Sequence, residues 1–153
     1  MRLPFKDSSF DMLVARAVLH HFPERIGDAM REAKRVLKPG GLFIIEEPCS
    51  GNPLAAIARG AMPTDRHDPG ERPMAREFML KAIGQQFTIL EARSFFLTSY
   101  LLPHLVSRMP AGFKPAFRKL SLTAGRLDER IIEKWGFSVR FASYIHILAI
   151  KSK

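Results

Sequence analysis

The sequence contains very little cysteine and no long apolar run. Its single cysteine, Cys49, excludes an internal disulfide framework and a cysteine-based zinc site. We instead predict that Cys49 is a buried or inert thiol, as is typical of proteins in a reducing cytoplasm. The first ten residues lack the apolar stretch of a signal peptide. The stretch FFLTSYLLPHLV is shorter than the roughly 20 residues that a membrane-spanning helix needs. We therefore predict a cytoplasmic protein with no integral membrane segment.

Basic residues are plentiful but scattered along the 153 residues, a length typical of one domain. The 24 lysines and arginines outnumber the 15 acidic residues, which gives a net charge of +9. Such an excess can serve nucleic acid, an anionic membrane surface or an acidic substrate. The sequence has no dense basic block and no aromatic residues interleaved with basic ones. We interpret the charge as a basic surface and predict no nucleic-acid partner.

The first third of the chain has the pattern of a strand, a helix and a second strand. Residues 10–16 form a short apolar run after the turn-like KDSS and predict a buried strand. A helix follows Pro23, and its apolar positions recur at helical spacing: Ile26, Met30, Ala33 and Leu37. KPGG, residues 38–41, predicts a turn. LFIIEEP then predicts a strand buried on both faces, because its apolar residues are continuous.

This strand–helix–strand unit brings candidate reactive residues to one edge of a sheet. Its two strands should be parallel, with a right-handed crossover. Ligands of open α/β sheets bind at the carboxyl ends of the strands. His20 and His21 follow the first strand, while Glu46 and Glu47 end the second. We expect these four side chains to converge there, with one carboxylate facing the site and the other the opposite face.

The remaining residues predict a looser arrangement. Residues 48–73 are rich in proline and glycine, with a short helix near PLAAIARGAM and a loop over PTDRHDPGERP. A helix near AREFMLKAIGQQ and a strand near FTILEARSFFL come next. Residues 100–135 predict helices interrupted by prolines. A final strand is expected from residue 138, because SVRFASYIHILAIKSK can alternate apolar residues on two faces.

Five features of the sequence occur together: LPF, SFD at the start of a strand, LHH, LKPGG and a strand that ends in acidic residues. In this combination the sequence resembles the class I S-adenosylmethionine-dependent methyltransferases. The resemblance is to the type 11-like, small-molecule group that includes ubiquinone, sterol and sugar methyltransferases. It covers about the first third of the chain, and the remainder agrees only in the order of its elements. It implies an α/β fold with a partial Rossmann-like sheet. That sheet would be mostly parallel with an antiparallel final strand, and helices would cover both faces.

The first three strands of that family have no counterpart here. Neither does its G-x-G-x-G loop, which holds the methionine part of the cofactor, nor the acid that binds the ribose. We therefore expect the C-terminal part of a methyltransferase domain. Residues 1–48 would form the βαβ core, 49–77 a loop or lid insert, and 78–153 a helix, a strand, a helical substrate cap and the final strand. A fragment of a longer protein and a half-domain with another role both stay open.

The resemblance assigns two segments to S-adenosylmethionine. Leu3, Pro4 and Phe5 would lie along the edge of the adenine, although LPF can equally be a turn that enters the core. Ala15, Arg16 and Ala17 would border the methionine end. Arg16 is an unusual neighbour for a sulfonium cation, so it either pairs with the cofactor's carboxylate or points outward.

The resemblance also implies that His20 or His21, with Glu47, assists deprotonation of a hydroxyl acceptor. Imidazole titrates near neutral pH, and a carboxylate can fix its tautomer. His21 is slightly favoured, and the alternative is that one histidine only caps or packs the following helix. No spacing among His20, His21, Glu47 and His67 is typical of a metal site, so we predict none.

We predict S-adenosylmethionine-dependent methyl transfer to a small, partly apolar acceptor, with an N-terminal half supplied from outside this sequence. Phe95, Phe96, Tyr100, Leu101 and Leu102 suggest the apolar acceptor, although ordinary core packing explains them equally well. The alternative is a non-catalytic interaction module. In that case the open sheet edge at residues 10–16 would bind a second copy or a partner chain. The acceptor and the methylated atom stay open.

Overall fold

The computed structural model describes residues 2–61 and 72–152. The regular elements of these residues are β1 (Phe10–Arg16), α1 (Ile26–Val36), β2 (Leu37–Pro48), α2 (Pro53–Ala61), α3 (Arg76–Gly84), β3 (Thr88–Phe95), α4 (Leu101–Arg108), α5 (Lys114–Lys134) and β4 (Tyr144–Ile150). Short 3-10 turns lie at Leu19–His21, Pro23–Arg25, Ala111–Phe113 and Gly136–Phe141. None of the described helices combines the length and apolar content that a bilayer crossing requires.

The contacts divide the described residues into two compact units. The first unit comprises residues 2–49, 72–93 and 145–152, which include β1, α1, β2 and α3. The second unit comprises residues 50–61 and 94–144, which include α2, α4 and α5.

The strands form one mixed sheet in the order β1-β2-β4-β3. β1 and β2 are parallel. Lys151, just after β4, donates its N–H to the Gly41 carbonyl at 3.0 Å and accepts from Gly40 at 2.9 Å. Because Gly40 and Gly41 lie near the start of β2, β4 runs antiparallel to it. Ser143, just before β4, donates to the Phe95 carbonyl at the end of β3 at 3.0 Å, so this pair is antiparallel as well. The prediction of an antiparallel final strand is confirmed.

The KPGG segment loops out of the parallel pairing of β1 and β2. Phe10 pairs with Leu37 and Met12 with Leu42, so residues 38–41 have no counterparts on β1. Gly40 adopts a φ of 76°, which glycine reaches without a steric cost. The turn predicted for KPGG is therefore wrong: β2 already begins at Leu37 and includes residues 38–41, and the irregularity is a bulge in its pairing with β1.

The core of the first unit lies on one face of the sheet. β2 contributes Phe43 and Ile45, and β4 contributes alternate residues, all fully buried: Ile145, Ile147 and Ala149. α1 and α3 pack on the same cluster through apolar residues on one side of each helix: Ile26, Ala29, Met30, Ala33, Met79, Ala82 and Ile83. The helical spacing predicted for residues 26–37 thus describes the buried side of α1, which ends one residue earlier.

The opposite face of the sheet is much more open. Val14 is 60% exposed, and Met12 and Leu90 are about half exposed. Leu42 and Ile44 are half-buried, so β2 alternates in burial and is not buried on both faces as its continuous apolar run predicts. Both described helices of the first unit, α1 and α3, contribute to the buried face.

The final strand begins later than the sequence pattern predicts. Gly136–Phe141 forms a 3-10 turn, and β4 starts at Tyr144. A Cβ at Gly51 would lie 1.9 Å from the Arg140 carbonyl oxygen, so the backbone of Gly51 occupies the space beside residue 140. Regular strand pairing therefore starts only at Ser143, whose N–H bonds the end of β3.

Candidate active site

The carboxyl ends of β1 and β2 lie side by side. Their parallel register pairs Ala15 with Ile45 and Arg16 with Glu46. Ala17 has a φ of 51°, which is uncommon for a residue with a Cβ, and it turns the chain out of β1. Its N–H still donates to the Glu46 carbonyl at 2.7 Å. The turn Leu19–His21 therefore begins directly beside the end of β2.

Glu47 organises this turn from a fully buried position at the end of β2. Its Oε1 accepts the backbone N–H groups of Val18 and Leu19 at 2.7 Å each, and its Oε2 accepts that of His20 at 3.3 Å. A buried carboxylate is costly unless hydrogen-bonded, and backbone donors at the start of a helical turn satisfy it well. Glu47 therefore points into the turn after β1, whereas Glu46 points the other way and pairs with Arg16.

His20 is the histidine that pairs with this carboxylate. Its Nδ1 lies 2.8 Å from Glu47 Oε2, and its side chain is only 7% exposed. A carboxylate accepts hydrogen bonds, which favours Nδ1 as the donor in this pair. The exposed His21 ring stacks on the His20 ring with centroids 4.3 Å apart. The carboxylate partner predicted for either histidine therefore belongs to His20.

Two residues of α1, Glu32 and Arg35, hold the N-terminal segment that contains LPF, and we call this pair the clamp. Glu32 accepts the Leu3 N–H at 2.7 Å. Arg35 donates to the carbonyls of Phe5 at 2.9 Å and Leu3 at 3.3 Å, and it is tied to Glu32 at 2.6 Å. Beside the clamp lies an open depression of about 420 Å³, lined by Arg2, Leu3, Pro4, Phe5, Lys6, Asp7 and Arg35. The sequence analysis did not identify Glu32 or Arg35, which resemble an ordinary surface pair one helical turn apart.

Acid titration tests this clamp. The hydrogen bond from Arg35, followed by that from Leu3, lowers the pKa of Glu32 from 4.5 to about 2. A lowered folded-state pKa means that the stabilisation is complete above pH 4.5 and is lost as the pH falls toward 2. We expect the amide proton shift of Leu3 to titrate near pH 2 in NMR spectra, and Glu32→Gln to abolish that titration. A midpoint near 4.5 would show that the carboxylate is not bonded to Arg35 in solution.

Known proteins share the sequence of the N-terminal part and the fold of nearly all the chain. The methyltransferase domain family matches residues 1–45. The uncharacterized protein YafE of Escherichia coli K12 is 43% identical over 56 residues, which cover 36% of this chain and 27% of YafE. The 27-O-demethylrifamycin SV methyltransferase of Amycolatopsis mediterranei is 51% identical over 41 residues, which cover 27% of this chain and 15% of that protein.

Among solved structures, an S-adenosylmethionine-dependent methyltransferase from Archaeoglobus fulgidus aligns with a TM-score of 0.59 at 16% identity. The alignment covers 96% of this chain and 62% of that chain. The chain has the class I methyltransferase fold. Its N-terminal part is similar in sequence to methyltransferases, and the chain covers less than two thirds of the length of each of these three proteins.

The three predicted cofactor residues at the end of β1 differ in their surroundings. Ala15 is buried in the core of this methyltransferase fold, so only its backbone can border a ligand. Arg16 is 76% exposed, and its Nε lies 3.2 Å from Glu46 Oε1. This pair turns the guanidinium outward and compensates its charge, which matches the alternative that Arg16 points away from a sulfonium. Ala17 is exposed and small, and it has a left-handed φ.

The buried Cys49 thiol behaves as the sequence predicts for an inert residue. Burial raises the pKa of Cys49 to about 12. At pH 8 very little reactive thiolate is therefore present. We expect iodoacetamide to leave the native chain unmodified at pH 8 and to alkylate it stoichiometrically in urea, as measured by intact mass. Rapid alkylation of the native protein would contradict the burial of Cys49.

The described part of the chain contains no group of three or more metal-ligating side chains that could hold a metal ion. His67, which belonged to the weak metal hypothesis, lies outside the described residues.

Two buried polar residues of the second unit were not identified from the sequence. Asp128 accepts the backbone N–H groups of Leu97, Thr98 and Ser99 at 2.9–3.0 Å. Asn52 donates to the Leu97 carbonyl at 2.7 Å. The partners lie about 30 and 45 residues away along the chain. No local pattern marks either residue, and Asp128 sits in a charged stretch that resembles a solvated helix face.

Proposed function

We propose that this chain contributes to S-adenosylmethionine-dependent methyl transfer to a small, partly apolar acceptor. The observation that carries the proposal is the His20–Glu47 pair at the adjacent carboxyl ends of β1 and β2 in a class I methyltransferase fold. A buried histidine with a fixed tautomer, next to the strand ends where ligands of this fold class bind, is suited to take a proton from an acceptor.

In the proposed reaction, the acceptor hydroxyl oxygen attacks a methyl carbon. An O–C bond forms, the C–S bond breaks with its electron pair going to sulfur, and S-adenosylhomocysteine leaves. S-adenosylmethionine supplies the electrophilic methyl group. His20 Nε2 takes the proton of the hydroxyl, while Glu47 keeps Nδ1 protonated and favours the imidazolium that results. His21, stacked on His20 and exposed, shields the ring and faces the acceptor.

The cofactor residues are proposed in two segments. Leu3, Pro4 and Phe5 would lie along the adenine, held there by Glu32 and Arg35. The backbone of Ala15–Ala17 would border the methionine end, with Arg16 paired to Glu46 and turned away. The remaining cofactor contacts would come from polypeptide outside this sequence.

An interaction module remains the second candidate, and a specific observation favours it. β1 is the edge strand of the sheet order, and its Met12 and Val14 side chains are exposed. An exposed apolar edge invites pairing with another strand. We propose that this edge accepts either a partner chain that completes the domain or a second copy of the chain. The single, buried thiol fits a cytoplasmic setting.

Complementation tests the proposed function. The chain is assayed for S-adenosylhomocysteine formation alone and after coexpression with the N-terminal half of the Archaeoglobus fulgidus relative, which serves to complete the sheet. We expect weak or no cofactor binding by calorimetry for the chain alone, and binding with product formation from small hydroxylated acceptors for the complex. Tight, stoichiometric binding by the chain alone would overturn the need for another half. A complex that binds cofactor but methylates none of the acceptors would favour the interaction module.

A further inference from the structure

The turn that follows β3 in the second unit is built around a strained aromatic residue. Phe96 has a φ of 61°, in the left-handed region that a bulky side chain rarely adopts. A glycine or asparagine would occupy this position at lower cost. Backbone strain of this kind persists where the surroundings over-determine it, and such positions cluster at ligand sites.

Side chains from distant parts of the second unit fix the turn from both sides. Asn52 donates to the carbonyl of Leu97 at 2.7 Å and to that of Phe96 at 3.3 Å. Ser143 also donates its N–H to the Phe96 carbonyl, at 2.9 Å. On the other side, the fully buried Asp128 accepts the N–H groups and hydroxyls of the next residues along the turn. The strained conformation is therefore held by a dedicated polar network.

The residue held by these hydrogen bonds has an exposed aromatic ring. Phe96 is 44% exposed, so its strained backbone does not serve to bury it in a core. Its ring meets Tyr144 edge-to-face, with centroids 6.1 Å apart and an interplanar angle of 84°. Tyr100 lies against Tyr144 at 6.2 Å. We call Phe96, Tyr100 and Tyr144 the aromatic cluster.

We propose that the aromatic cluster is a binding surface for a planar aromatic small molecule, with Phe96 as its principal contact. Aromatic pairs prefer offset-stacked or edge-to-face arrangements and gain beyond their buried area. The partly exposed Phe96 ring stands at right angles to the Tyr144 ring, so a flat ligand stacked on Phe96 would also meet Tyr144 edge-to-face. An aliphatic chain gains from buried area alone.

Binding of 1-naphthol to the chain without cofactor tests the proposal independently of methyl transfer. We expect saturable binding, with NMR shift changes largest for the ring protons of Phe96, Tyr100 and Tyr144. Phe96→Ala should weaken binding about tenfold, in keeping with the loss of one stacked ring and its buried area. The matched control is Phe113→Ala, which removes another exposed phenylalanine of the same unit and should bind as the unchanged chain does.

Phe96→Gly separates the role of the ring from that of the backbone. Glycine relieves the left-handed strain, so this variant should have a higher Tm than Phe96→Ala while binding 1-naphthol equally poorly. If the Phe96 ring only packed against its neighbours, Phe96→Ala and Phe96→Gly would both lower the Tm. In that case 1-naphthol would bind to the unchanged chain and to both variants equally well, or to none of them.

Three results would overturn the proposal: no saturable binding, unchanged binding by Phe96→Ala, or 1-octanol binding as tightly as 1-naphthol. Binding at the cluster together with an inactive complemented complex would refute the proposed function and leave the aromatic site standing. Product formation by the complemented complex without binding at the cluster would support the proposed function and refute the aromatic site.

Discussion

His20→Asn is expected to lower methyl transfer by the complemented complex about 10²- to 10⁴-fold, the range that positioned general bases contribute. Asparagine can still donate an N–H toward Glu47, so the carboxylate keeps a partner in place of Nδ1. It has no basic nitrogen at the position of Nε2, so the proton of the acceptor has no receiver. The measurement is the initial rate of S-adenosylhomocysteine formation at saturating cofactor and acceptor.

His21→Asn is the matched control, because it makes the same substitution in the adjacent, exposed ring. We expect a clearly smaller loss of rate and cofactor affinity unchanged within about twofold for both variants. The opposite order of the two losses would assign the base to His21, as the sequence slightly favours, and would make His20 a positioning residue.

Glu47 variants would not give an equally clean answer. The carboxylate of Glu47 accepts three backbone N–H groups as well as His20 Nδ1. In Glu47→Gln the amide nitrogen would face one of these donors, which would leave a buried donor without an acceptor. A lower rate in that variant would then mix the loss of orientation of His20 with a distortion of the turn.

The region of the candidate site could be predicted from the sequence, but the pairing within it could not. Parallel strands end at one sheet edge, and alternation along a strand separates Glu46 from Glu47, so their opposite facing follows from general geometry. Which histidine reaches Glu47 depends on the left-handed turn at Ala17 and the 3-10 turn after it. Neither Ala17 nor Val18 is a residue type that marks such a turn.

Errors along the rest of the chain have the same origin in long-range contacts. The alternation of Val139 and Phe141 suits a strand, yet Gly136–Phe141 forms a 3-10 turn, and the backbone of Gly51, far away along the chain, packs against Arg140. LFIIEEP suggests burial on both faces, but only one face carries packed helices within the described first unit. Local patterns thus identify elements, while their ends and surroundings depend on what packs against them.

Asp128→Asn is expected to destabilise the second unit by about 3 kcal/mol, because hydrogen bonds to a charged group contribute about 1.5–3 kcal/mol each and several are weakened together. The carboxylate accepts from the backbone and hydroxyl groups of both Thr98 and Ser99. Asparagine keeps one acceptor oxygen and places an NH₂ group against the remaining donors. Urea unfolding followed by the fluorescence of Trp135, the single tryptophan of the chain, reports on this unit.

The pH dependence distinguishes lost charge from lost shape. Burial alone would raise the pKa of Asp128, but the hydrogen bonds from Ser99 and Thr98 outweigh it and hold the pKa below its ordinary 3.8. A lowered folded-state pKa gives a stabilisation that is complete at neutral pH and lost as the pH falls below that value. The difference in free energy of unfolding between the unchanged chain and Asp128→Asn should therefore be largest at pH 7 and decrease below about pH 3.8.

The neighbouring Glu129→Gln removes one carboxylate from an exposed position of the same helix and should change the free energy of unfolding by less than about 0.5 kcal/mol. An equally small effect of Asp128→Asn would mean that the donors of the turn are satisfied without the carboxylate. The left-handed conformation of Phe96 would then lack the restraint on which the aromatic site depends. Stability of the turn and binding of a planar ligand are therefore linked through Asp128: the variant that loosens the turn should also weaken 1-naphthol binding, whereas Glu129→Gln should alter neither.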